Sequence, residues 1–152
     1  MLNHWKMPKN AINLLYFSPG DSLKGISMDV RVLDVGQCGF DHAAIHHFIQ
    51  SVISATVDAA GTAEEAQKLL EKNRYNLVLI NRILDRDGSS GIELIKQLRQ
   101  IPDCPPLMLV SNLPDAQAKA MAAGALEGFG KSAIHLPQTA EHLRDVLKAG
   151  VM

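Results

Sequence analysis

From Asp29 onward the chain alternates short apolar runs with longer amphipathic stretches. Val30–Val35 is β-branched and reads as a strand. After a glycine-bearing loop, Gly36 to Gly39, Ala44, Ile45, Phe48, Ile49 and Val52 recur at the spacing of one helical face, with Asp41 as the expected N-cap. A second strand is expected over Ala55–Ala59. Thr62 and Glu65 make a capping box ahead of a helix burying Ala66, Leu69 and Leu70. The unbroken run Leu77–Ile80 suits a central strand covered on both faces. A polar loop, Asn81 to Ser89, leads to a second capping box, Ser90 and Glu93, and a helix with Ile92, Leu94, Ile95 and Leu98. Pro105-Pro106 introduces the strand Leu107–Val110. An alanine-rich helix, Asp115–Ala123, stops at Gly124; a weaker strand lies near Glu127–Phe129. A last helix, Pro137–Ala149, buries Leu143, Val146 and Leu147, with Gly150 just past its end.

Five strand–helix units in succession predict an α/β fold: a five-stranded parallel sheet, doubly wound with helices on both faces, a flavodoxin-like three-layer sandwich. Ligands of such folds sit beyond the carboxyl ends of the strands. The loops to search are therefore those after the first, third, fourth and fifth strands.

Composition narrows the function. The 152 residues allow one domain, and 47% hydrophobic residues suffice for its core. A net charge of -1 gives no general electrostatic case for nucleic acid or an anionic membrane. No apolar stretch reaches the ~18–20 residues of a membrane helix. Two cysteines, Cys38 and Cys104, cannot make a disulfide framework and are expected at opposite ends of the sheet, which suits a reducing cytoplasm. Residues 1–28 lack sustained periodicity and read as an N-terminal arm, flexible or ahead of a true start at Met28, with residues 29–152 as the domain.

The segments YNLVLINRILDRDGSSGIELIKQLR, LMLVSN and AMAAGALEGFGKSA resemble the third strand to third helix, the fourth strand, and the fourth helix to fifth strand of response-regulator receiver domains. The resemblance covers Asp29 to about Ala149. It implies a phosphoacceptor position at Asn81, an Mg²⁺-holding acidic pair at Gly36 and Gln37, and phosphoryl contacts from Ser111 and Lys131. Asn81 carries a neutral amide, which cannot form an acyl phosphate. Gly36 and Gln37 offer no carboxylate, so Mg²⁺ binding is expected to be lost or weak and no other cofactor is implied. None of the 16 acidic residues falls on these three positions. The family's switch aromatic falls on Gly128, with Phe129 following and expected in the core. The resemblance is thus to a pseudo-receiver.

Other residues carry weaker signals. Asp34 lies inside the first strand. It is read as a partly exposed strand-end residue satisfied by backbone N–H groups, the sharper alternative being a bond to Lys131 or Arg82. Asp85 and Asp87 fail the EF-hand pattern and read as solvated turn acids. His42 and His46 could share a metal at their i, i+4 spacing, but no third ligand is evident nearby, so the sequence is read as holding no metal site. The fourth helix offers Ala116, Lys119, Ala120 and Ala123 as interface candidates; the resemblance implies output and homodimer contacts through that helix, the fifth strand and the last helix. The expected function is a stand-alone, non-enzymatic signalling domain acting on a protein partner. The alternatives are a small-anion or metabolite sensor using Arg82, Ser111 and Lys131, and an active receiver using Asp34 or Asp85 unconventionally.

Overall fold

The computed structural model describes residues 30–151, so the expected arm lies outside the described residues. Five parallel strands are laid out in the order β2-β1-β3-β4-β5: β1 Arg31–Val35, β2 Thr56–Ala60, β3 Leu77–Asn81, β4 Leu107–Val110 and β5 Leu126–Phe129. Five α-helices connect and follow them: α1 Gly39–Val52, α2 Ala63–Lys72, α3 Gly91–Leu98, α4 Pro114–Ala122 and α5 Pro137–Val151, with a 3-10 turn at Lys131–Ala133. This is the doubly wound α/β sandwich expected.

Alternation along the strands divides the core in two. Leu33, Val35, Val78, Ile80, Leu107 and Leu109 face α2, α3 and α4, where they meet Ala66, Leu94, Ile95, Leu98, Ala116 and Ala120. Val32, Leu77, Leu79, Met108 and Val110 face α1 and α5, packing on Ile45, Phe48, Ile49, Leu143 and Leu147. Asp34 shares the parity of Val32 and is thereby aimed at α1.

Several boundaries differ from expectation for local reasons. The N-cap of α1 is Cys38, whose Sγ accepts the Asp41 N–H at 3.4 Å; Asp41 lies inside the first turn, which frees its carboxylate. Thr62 and Ser90 cap α2 and α3 by accepting the N–H of Glu65 and Glu93 at 3.2 Å each. The reciprocal halves of both boxes are absent: Glu65 accepts the Gly61 N–H, and Glu93 takes Lys96. Gly150 continues α5 instead of ending it.

The alanines of α4 are also corrected. Ala116 and Ala120 are buried, and Ala123 packs against the same core. Small side chains there let the helix lie close on the sheet, so Ala116 and Ala120 have little surface to offer a partner; Ala123 is partly exposed and Lys119 exposed.

Candidate functional site

Val35 lies opposite Ile80, and Asn81 opposite Val110, so the strands end together and their loops meet along one edge. Gly36, Gln37, Asn81, Ser111 and Lys131 all belong to that edge. Asn81 Nδ2 donates to the Gly36 carbonyl at 3.0 Å, and the same oxygen accepts the Asp85 N–H at 2.9 Å. Gly36 has φ +82°, and a Cβ there would come 2.3 Å from Leu84 Cδ2, so both backbone and space demand glycine. Ser111 Oγ accepts the Leu113 N–H at 3.1 Å, which turns the chain into α4. Arg82 and Asp85 are exposed; Arg82 contributes a backbone carbonyl to the Gly91 N–H.

Lys131 meets a residue outside the expected set. Its Nζ donates to Asp41 Oδ2 at 2.6 Å. That bond, ahead of the opposing cost of burial, holds the Asp41 carboxyl below the usual range. A residue read as a helix cap thus supplies the counter-ion of Lys131. The only sequence signal is a carboxylate in the first turn of α1, on the edge that faces the loop after β5.

Asp34 is neither partly exposed nor bonded to Lys131 or Arg82. It is 1% exposed, and its Oδ2 lies 2.6 Å from His42 Nδ1. Oδ1 has no hydrogen-bond partner, and neither end of the neighbouring Gln37 amide has one. Burial pushes the Asp34 carboxyl above the usual range; the His42 bond, then Gln37 and Lys131, act in the opposite sense. The bond to Asp34 raises the His42 imidazole in turn, against its partial burial. A carboxylate inside a parallel strand is tolerated because the first turn of α1 brings an imidazole onto it.

The donor set does not suit Mg²⁺. A hard cation wants free carboxylate oxygens. The Gly36 carbonyl already accepts two N–H groups, Gln37 and Asn81 carry neutral amides, Asp41 pairs with Lys131, and Asp34 is buried behind His42.

Gly128, the expected switch position, is tied to α4. Gln117 of α4 donates to the carbonyls of Leu109 and Ser111 at 2.9 and 3.0 Å and accepts the Gly128 N–H at 3.1 Å. One side chain thereby ties α4 to β4 and β5. A Cβ at Gly128 would approach Leu109 O to 2.0 Å, so no side chain fits. Phe129 is buried as expected and meets Phe48 edge to face at 5.8 Å between centroids. A lone glutamine on a helix gives no sign of reaching a neighbouring strand, so Gln117 is legible only in the structure.

No protein-family model matches the chain, and no curated protein does. Solved structures do. A response-regulator structure from Chloroflexus aurantiacus is 19% identical, with a TM-score of 0.69, covering 79% of this chain and 98% of its own. The signal receiver domain of an HD domain-containing protein from Pseudomonas fluorescens is 20% identical, with a TM-score of 0.68, covering 81% and 90%. The signal receiver domain of a DNA-binding response regulator from Colwellia psychrerythraea is 16% identical, with a TM-score of 0.66, covering 79% and 99%. At these identities the shared property is the fold, which is the receiver fold.

Proposed function

We propose that the chain is a receiver-like, non-enzymatic signalling domain that works by contact with a protein partner and accepts no phosphoryl group at Asn81. The observation that carries this reading is the Asn81 amide bonded to the Gly36 carbonyl, where acyl-phosphate chemistry needs a free carboxylate. The receiver fold shared with the solved neighbours supports a role in two-component signalling. With no carboxylate pair beside Asn81, Mg²⁺ is expected to bind weakly, and the proposed location is the cytoplasm.

Two observations favour this reading over the anion sensor and over an acceptor at Asp34. An anion sensor needs the charge of Lys131, which Asp41 neutralises. An unconventional acceptor at Asp34 needs access, and its side chain is 0% exposed. The contact surface falls on α4, β5 and α5, through Lys119, Met121 and Leu126; the last two are 47% and 43% exposed. Self-association through the same surface is the homodimer form of this reading.

The test is incubation of the full chain with acetyl phosphate and Mg²⁺, read by intact mass and by sensitivity to hydroxylamine. No hydroxylamine-sensitive adduct is expected. A stable, Mg²⁺-dependent label in the loop after β3 would overturn the reading. Met121→Glu and Leu126→Glu should abolish capture of the partner, and any dimer seen by sedimentation, while leaving the fold intact.

A further inference from the structure

We propose that His42 and His46 form a two-imidazole site for a borderline transition-metal ion of the Zn²⁺ class, with Asp34 as the buried carboxylate that sets His42 for ligation. The site is independent of the phosphorylation reading. It stands on a relationship the sequence does not display, the alignment of a strand carboxylate behind a helix histidine.

His42 Nδ1 is engaged with Asp34 Oδ2 at 2.6 Å. The Asp34 side chain is fully buried and the His42 ring is about a quarter exposed. With Nδ1–H donating to the carboxylate, the second nitrogen, Nε2, carries the lone pair. This is the carboxylate–histidine arrangement that fixes tautomer and ring orientation in metal sites and strengthens the ligand. His46 lies one turn further along α1 and is exposed. The two rings have centroids 6.0 Å apart, tilted by 39°. Two imidazoles on one tetrahedral ion, each with Zn–N of about 2.0–2.1 Å, put their centroids at about 5 Å. Closing the difference requires the exposed His46 ring, whose Nε2 now lies by Gln50, to turn toward His42. Its present contact with Gln50, at 3.4 Å, is too long to hold it firmly.

Ligand chemistry chooses the ion. Imidazole nitrogen favours Zn²⁺ and its neighbours over Mg²⁺ or Ca²⁺, which want oxygen. No group of three or more His, Cys, Asp or Glu side chains among the described residues is placed to hold a metal. The protein therefore offers two ligands, and water or a group from a partner completes the shell. Such a site is open by construction and weaker than a structural zinc centre.

The test is titration of the full chain with Zn²⁺, with Mg²⁺ as the comparison ion, by calorimetry. A saturable Zn²⁺ site is expected in the wild type. His42→Ala and His46→Ala should each weaken it at least tenfold. His47→Ala, adjacent but off the pair, should leave it unchanged. Asp34→Asn should weaken it by about 10–100-fold, the usual effect of removing a ligand's carboxylate support. Should Asp34→Asn fail to fold, wild-type nitrogen NMR decides the same point: Zn²⁺ should shift His42 Nε2 while the proton stays on Nδ1. No saturable Zn²⁺ binding, binding insensitive to His42 or His46, or a Zn²⁺-induced shift at Nδ1 in place of Nε2 would each overturn the proposal.

Discussion

Lys131 and Asp41, ninety residues apart in the chain, are joined by a 2.6 Å ion pair between the first turn of α1 and the loop after β5. The pair closes the edge where a receiver would hold phosphoryl and metal charges. It is partly exposed, at 36% and 26% for the two side chains, so water and salt screen it. A double-mutant cycle with Lys131→Ala and Asp41→Ala should give a coupling of about 0.5–1 kcal/mol in dilute buffer. The coupling should shrink in molar salt, as read from urea denaturation. A value unaffected by salt would show that the contact is not electrostatic.

The Asp34–His42 pair makes stability depend on pH in one direction. Both groups have folded pKa values raised above their unfolded ones. A raised group contributes its stability in full below the unfolded pKa and loses it as pH rises through the folded one. For His42 the loss begins near the unfolded value of 6.5 and is complete above the raised value. For Asp34 it begins near 3.8, so the two losses share a sign. Urea midpoints should fall as pH climbs from about 6 to 9. Asp34→Ala should flatten that slope and cost roughly 1–3 kcal/mol at neutral pH, since an imidazole loses its buried partner.

Gln117 should behave as a clamp. Gln117→Leu leaves the Gly128 N–H and the Leu109 and Ser111 carbonyls without their side-chain partner. The expected cost is about 1–3 kcal/mol. Hydrogen exchange should quicken in α4 and at Gly128 while β1 and β3 remain protected. Gly128→Ala should be at least as damaging, because the new methyl meets a backbone oxygen that has nowhere to go.

Asn81→Asp should not restore phosphorylation. The variant loses the donor to Gly36 O and brings a carboxylate against a carbonyl. A destabilisation of about 1–2 kcal/mol is expected, with no hydroxylamine-sensitive label from acetyl phosphate and Mg²⁺. Labelling of this single variant would show that the missing acidic pair is dispensable.

Much of the fold is legible in the sequence because its signals are local. The runs Leu77–Ile80 and Leu107–Val110 are strands at those positions, and Thr62 and Ser90 cap the helices they precede. The edge that gathers Gly36, Gln37, Asn81, Ser111 and Lys131 follows from strand order. Contacts between elements are not legible in the sequence. Asp41 looks like a cap until the loop after β5 is in place. Asp34 looks like a strand end until α1 lies over it. The alanines of α4 look like a surface until the helix phase is known, since Ala116 and Ala120 pack inward while Ala118 and Lys119 do not.

Gly36 constrains what the loop after β1 can hold. Its backbone is left-handed, and Leu84 occupies the volume that any side chain would need. An acidic residue at that position would be strained and would collide, whatever stood at 81. A carboxylate at position 36 therefore cannot be installed by a single substitution without cost. Leu84 would have to give way first, opening the core before any carboxylate arrived to use the space. Packing, as much as the absence of charge, keeps a carboxylate out of this position.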